Sequence, residues 1–161
     1  MRMTDAAGLI GFLLLCISVA GVGGVVTAKA VRQWYPSLRK PSWNPPSRVF
    51  APVWSVLYLM MAIAAWLVWR ARDAGDVAIA LALFGLQLAL NLAWSVIFFG
   101  LRRPAWALSE IVLLWISIAA TLAAFWIHDP IAAALLIPYL AWVTFAGVLN
   151  EAISRLNKTH S

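Results

Sequence analysis

Charge is scarce in this chain. Only 11% of its 161 residues are Asp, Glu, Lys or Arg, against 64% hydrophobic. Twelve basic and six acidic side chains cannot cover the apolar surface of a water-soluble domain of this length, so a soluble globular fold is excluded. Cysteine occurs once, at Cys16, which excludes an intrachain disulfide. No His, Cys and carboxylate residues stand at metal-ligand spacing, no glycine-rich loop precedes a helix to cradle phosphate, and no G-x-S-x-G elbow presents a nucleophile. Nothing in the sequence requires a cofactor or a metal. The net charge of +6 does not point to nucleic acid either, because the basic residues sit beside apolar runs instead of forming one soluble patch.

What is abundant is apolar sequence in long runs. A membrane-spanning helix needs about 20 mostly apolar residues. Five such runs follow one another at 8–28, 49–69, 77–100, 104–127 and 131–150. Together they predict an all-α integral membrane protein: one domain covering 1–161, built as a five-helix bundle, with a single sizeable loop at 29–48. The first run also resembles a cleaved signal peptide, since Arg2 precedes it and Ser18-Val19-Ala20 resembles a cleavage site. It continues through Val22, Val25 and Val26, past the length of a signal core, and is therefore read as a helix.

The breaks between runs carry turn chemistry. Pro104 suits a first helical turn, Gly75 lies in a short polar turn between Asp73 and Asp76, and His128-Asp129-Pro130 makes another. Five spans put Arg2, Arg70 and Arg72 on one side. The opposite side receives Lys29, Arg32, Arg39, Lys40, Arg48, Arg102, Arg103, Arg155 and Lys158. Basic loops stay cytoplasmic, so the N-terminus is expected outside and the large loop and C-terminus inside a bacterial cell membrane, with the outer membrane as the alternative.

The large loop contains Pro36, Pro41, Pro45 and Pro46, with Trp34, Tyr35 and Trp43 among them. Proline fixes φ and removes a donor, so this segment is expected to be a stiff, ordered lid rather than a helix. Arg39, Lys40 and Arg48 in it are candidates to meet ligand carboxylates.

Helical spacing gathers aromatic and polar residues into stripes. Phe50, Trp54 and Tyr58 share a face of the second span; Gln87, Asn91, Trp94 and Phe98 share one on the third; Tyr139, Trp142, Ala146 and Asn150 share one on the fifth. A cavity lined by apolar groups with a few orienting polar ones would use such faces, and so would a solid bundle glued by interhelical hydrogen bonds. Spacing alone leaves both readings open. Trp66, Trp69, Trp106 and Trp126 fall near span ends, where an interfacial belt accounts for them, whereas Trp54, Trp94, Trp115 and Trp142 lie deeper. Glu110 is the one carboxylate well inside a span, with pairing to Arg102 or Arg103 as its simplest explanation. His128 with Asp129 reads as a solvated turn, and His160 lies in a terminal tail.

Small residues give a dimerisation face. Gly85, Ala89 and Ala93 recur every four residues on the third span, continued by Ala78 and Ala82, so a homodimer through helix 3 is expected. Ala20, Gly24 and Ala28 on the first span are the rival face.

Several ordered motifs resemble one family. They are Trp34-Tyr35; Lys40-Pro41-x-Trp43-Asn44-Pro45-Pro46; Phe50-x-x-x-Trp54-x-x-Leu57-Tyr58-x-Met60; Leu90-Asn91-x-x-Trp94 with Phe98-Phe99-Gly100; and Pro138-Tyr139-x-x-Trp142 with Leu149-Asn150. This set is similar to that of the tryptophan-rich sensory protein and translocator protein (TspO/MBR) family, over roughly residues 8 to 157. The resemblance implies a five-helix bundle, usually dimeric, with a cavity under the first loop that binds porphyrins and, in some members, sterols. Carried over by position, the ligand-binding residues would be Tyr35, Pro45, Phe50, Trp54, Asn91, Trp94, Trp142 and Ala146. It also implies a second activity, light- or oxygen-dependent porphyrin degradation, with Trp54 and Trp142 as the candidate catalytic residues. Animal members carry a tyrosine after the Leu-Asn pair in a sterol motif where this chain has Glu151, which argues against a tight sterol site there, although Val31, Tyr35 and Arg39 fit a looser sterol pattern. Three functions therefore compete: a porphyrin-binding receptor or transport protein, a porphyrin-degrading enzyme using the same cavity, and a structural membrane partner without a ligand.

Overall fold

The computed structural model describes residues 3–158, and Arg2 and His160 lie outside them. Five helices account for the architecture: α1 (Met3–Gln33), α2 (Phe50–Arg70), α3 (Ala78–Ser95), α4 (Pro104–His128) and α5 (Pro130–Leu156). All five spans are long and apolar enough to cross a membrane, so this is a multi-pass integral membrane protein. In hydrocarbon every backbone N–H and C=O must be satisfied inside its own segment, and apolar runs of this length meet that demand as helices.

The turns are made by the residues that punctuate the sequence. Asp129 caps α5, its Oδ1 accepting from Ile131 N at 2.8 Å and Ala132 N at 3.2 Å, with Pro130 in the first turn. Asp76 accepts from Ala78 N at 2.9 Å in the turn before α3, one residue ahead of the helix's N-cap Val77. Beyond Ser95 the third span continues as a π-helical turn, Val96–Gly100, and the chain then reverses through Arg102, whose φ is 56°.

Two boundaries differ from expectation. α1 runs five residues past 28, because Ala28 to Arg32 are good helix formers and no proline intervenes before Pro36. Lys29 and Arg32 therefore stand on a helix and not in the loop, which shrinks to Trp34–Val49 with short 3-10 turns at Tyr35–Ser37 and Ser47–Val49. α5 continues past Asn150 to Leu156, bringing its last turn up to that loop.

The helices form a closed ring in the order α1, α2, α5, α4, α3, with α3 returning to α1. α2 and α5 bury small residues, Ala62, Ala64 and Ala65 on one and Ala132 and Ala133 on the other, and small residues let neighbouring backbones come close in lipid. α1 is the loosest member and buries only Cys16, Gly23 and Ala30, a narrow stripe of period seven. One end of α1 is pinned to α2: Trp66 donates to Asp5 O at 2.8 Å, and Arg72 pairs with the Asp5 carboxylate at 3.3 Å. Gly8 is required there, since a Cβ on it would come within 2.6 Å of the Trp69 ring. Trp66 and Trp69 thus hold α1 in place and are more than belt residues, whereas Trp106 and Trp126 are exposed as a belt requires.

Candidate functional site

Inside the ring, beneath the loop, lies a cavity of about 400 Å³. Seven of the eight expected ligand residues line it: Tyr35 from the loop, Phe50 and Trp54 from α2, Asn91 and Trp94 from α3, Trp142 and Ala146 from α5. Pro45 does not. Asn44 accepts from the Tyr35 hydroxyl at 2.7 Å and donates to Pro45 O at 3.1 Å, which folds that segment back on the loop.

Much of the polar lining is spent inside the protein. The Tyr58 hydroxyl donates to Asn91 Oδ1 at 2.8 Å, Asn91 Nδ2 donates to the Tyr139 hydroxyl at 2.7 Å, and that hydroxyl donates to Gln87 Oε1 at 2.8 Å. Asn91 is left with a single N–H for a ligand. Trp94 donates to Asn150 Oδ1 at 3.1 Å, and Asn150 Nδ2 donates to Pro104 O at 2.7 Å, tying α3 and α5 to the start of α4. Gln87 and Tyr139, on the same stripes, do not line the cavity at all. A cavity and interhelical glue therefore coexist on the same helical faces, and both readings left open by spacing are realised.

Two indoles in the wall remain unspent. Neither Trp54 nor Trp142 has a partner for its N–H among the described residues, and Trp142 Nε1 is buried. Trp142 lies between Phe50 (centroids 6.2 Å apart) and Phe145 (5.4 Å), while Trp54 packs on Tyr58 at 5.8 Å and Tyr139 at 6.2 Å. Trp115, the other deep indole, points elsewhere and donates to Thr144 Oγ1 at 2.8 Å on the outer side of α4 and α5. Phe98 and Phe99, from the π turn, complete the aromatic wall.

The loop's basic residues are not placed as expected. None of Arg39, Lys40 and Arg48 lines the cavity. Lys40 Nζ donates to the carbonyls of Tyr35 (2.7 Å), Leu38 (2.8 Å) and Pro36 (3.3 Å), so its three donors hold the loop's own turn together. Partial burial also holds its ammonium below the usual lysine range. Burial pushes the Tyr35 phenol up to about 12. Glu110 also departs from expectation. It falls on the inward face of α4 beside Ala107, is 8% exposed, and neither carboxylate oxygen has a partner among the described residues. Pairing with Arg103 fails because that guanidinium turns outward to lie 5.9 Å over Trp106.

Sequence reasoning missed one whole wall. α1 contributes Ala20, Gly23, Gly24, Thr27, Ala28 and Val31, residues whose spacing reads equally well as a packing face. The rival dimerisation stripe of α1 is thus cavity lining. The signal available was its small size: a helix face without bulk leaves room for something else.

A five-span bundle enclosing an aromatic cavity under an ordered loop defines a multi-pass membrane protein with room for a small molecule. The chain belongs to the TspO/MBR family, whose family model matches residues 12–156. It is 44% identical over 144 residues to tryptophan-rich protein TspO of Chlorobaculum tepidum, covering 89% of this chain and 91% of that one. It is 40% identical to the tryptophan-rich sensory protein of Cereibacter sphaeroides, covering 95% and 93%, and 39% identical to the translocator protein of Sus scrofa, covering 92% and 89%.

Proposed function

We propose that the protein is a membrane receptor or transport-type protein that binds protoporphyrin-like tetrapyrroles in this cavity. One observation carries the reading: an aromatic cavity of about 400 Å³, within the roughly 300–1,000 Å³ typical of small-molecule sites, whose wall holds the indoles of Trp54 and Trp142 with no partner for either N–H among the described residues. Flat aromatic walls suit a flat aromatic ligand, and porphyrin is the ligand the family resemblance implies. Titrating protoporphyrin IX into purified protein in the dark should quench tryptophan fluorescence saturably, and absence of saturable quenching would refute the reading. The placement of both free indoles in the wall favours a second reading, porphyrin degradation, which the same titration under light would reveal as loss of porphyrin absorbance.

The assembly we propose is a homodimer through the outer face of α3. Ala78, Ala82, Gly85 and Ala89 are exposed there, and a Cβ on Gly85 would meet nothing within 4 Å. In a bacterial cell membrane the loop and the end of α5 would face the cytoplasm, on the strength of the basic residues at that end. A Gly75→Cys variant in intact cells should then react with a membrane-impermeant maleimide, and failure to react would reverse the orientation.

A further inference from the structure

The cavity's roof and its side wall are built differently. The roof is latched. Asn157, just past α5, grips one peptide of the loop in both directions: Arg39 N donates to its Oδ1 at 3.1 Å, and its Nδ2 donates to Arg39 O at 2.9 Å. Lys40 ties three carbonyls beside it, and Trp43 stands edge-on to Phe145 at 5.8 Å. Lifting the loop would break these contacts together.

The side wall between α1 and α2 has no such closure. Gly24 and Ala28 of α1 and Ala51 and Ser55 of α2 line the cavity, and all four are exposed. A Cβ on Gly24 would meet nothing within 4 Å. Among the described residues, the hydrogen bonds and the ion pair that tie α1 to α2 and the turn after it lie at the far end, around Asp5 and Trp66, so the slot lies where no polar contact ties the two helices. It lies within the apolar spans and so faces lipid chains, not water. At its loop-side edge stands Arg32, the only charged residue lining the cavity among the described residues. Its Nε donates to Ala28 O at 3.2 Å, and its two terminal nitrogens have no partner among the described residues.

We infer that ligand enters sideways from the bilayer through the slot between α1 and α2, and that Arg32 at the slot's edge selects lipophilic ligands carrying a carboxylate. This rests on the reading of the cavity as a porphyrin site. An apolar ring dissolved in lipid passes the small side chains of the slot without disturbing the latched roof. Its acidic group stays near the membrane surface, where a guanidinium offers a paired fork of donors that a carboxylate accepts.

Stopped-flow tryptophan quenching of the whole protein in lipid nanodiscs, with protoporphyrin IX and its dimethyl ester as the two probes, tests this. Gly24→Phe with Ala51→Phe should slow association of both probes about tenfold, and dissociation in proportion. Ser55→Leu alone should do so more weakly, which keeps the test usable if the double variant folds poorly. Asn157→Ala, which unlatches the roof, should leave association within about twofold of wild type. Arg32→Gln should weaken the diacid about tenfold and leave the diester unchanged, with Arg32→Lys restoring part of the loss. Wild-type entry rates in the slot variants, together with faster entry in Asn157→Ala, would move the entrance to the roof. An equal loss of diacid and diester in Arg32→Gln would overturn the selection by charge. If the wild type bound neither probe, the porphyrin reading itself would fail; binding that ignores the slot variants would overturn sideways entry alone.

Discussion

Asn91 and Tyr139 face each other across the bundle with Nδ2 and hydroxyl 2.7 Å apart, and each passes a further hydrogen bond outward, from Tyr58 on one side and to Gln87 on the other. Three helices are joined through one amide and one phenol. Asn91→Leu keeps the branched shape and heavy-atom count and strands the Tyr58 hydroxyl, a loss of about 1–3 kcal/mol for a buried group left unpaired. The thermal midpoint should fall, and adding Tyr58→Phe should recover part of it because no hydroxyl then remains to strand. A double variant no more stable than Asn91→Leu would show that these two residues are not coupled.

The opposite outcome is expected at the two free indoles. Trp142→Phe and Trp54→Phe each remove an N–H that has no partner among the described residues, so neither should cost more than about 1 kcal/mol of stability, mostly from lost ring volume. Porphyrin affinity should fall about tenfold in each, the worth of one hydrogen bond of about 1.4 kcal/mol. Affinity at wild-type level in both variants would remove these indoles from the site.

High pH provides a test of the loop. The Tyr35 phenol is raised to about 12 in the folded protein from an ordinary 10. Between those values the unfolded chain has released this proton and the folded one keeps it, so Tyr35 contributes stability below pH 10 that is lost as pH climbs towards 12. Denaturant titrations across this range should show a shallower decline for Tyr35→Phe than for wild type. Parallel declines would mean that Tyr35 ionises as freely in the fold as out of it.

Glu110 offers a gain in stability. A buried carboxyl whose oxygens have no partner among the described residues costs more than an apolar side chain of similar size. Glu110→Leu should therefore raise the thermal midpoint, by the equivalent of about 1–3 kcal/mol, and Glu110→Gln should raise it less. A midpoint that drops in Glu110→Leu would show that the carboxyl has a partner in the membrane.

For the proposed dimer, Gly85→Leu with Ala89→Leu puts bulk into the exposed stripe of small residues on α3. Detergent-solubilised protein should move towards monomer in sedimentation, with porphyrin binding retained, since neither residue lines the cavity. An unchanged dimer would place the contact on another face.

The spans were legible because their causes are local. Apolar length marks each one, and Asp129-Pro130 and Pro104 mark where new helices begin. The end of α1 was misread because Lys29 and Arg32 look like loop charges, whereas long basic side chains extend towards the membrane surface from a helix without ending it. Spacing found the faces of Trp54, Trp94 and Trp142, since a 3.6-residue period is a property of the sequence itself. It could not tell that the indole of Trp94 is spent on Asn150 while that of Trp142 is free, because that difference depends on what another helix brings opposite. Pro45 lies off the cavity for a related reason. The path of the loop depends on Asn44 meeting Tyr35 nine residues away, a contact invisible to periodicity.

The π-helical turn Val96–Gly100 accounts for a pair of rings that regular geometry would separate. Neighbours on an α-helix project about 100° apart, yet Phe98 and Phe99 are both buried, with centroids 4.7 Å apart. The wider turn acts as a splice of roughly one extra residue between two rigid pieces, the rod that carries Asn91 and Trp94 and the corner that launches α4. A residue added to or removed from the splice would rotate the corner and leave the phase of the rod untouched, so the register of Asn91 and Trp94 does not depend on how α4 is launched.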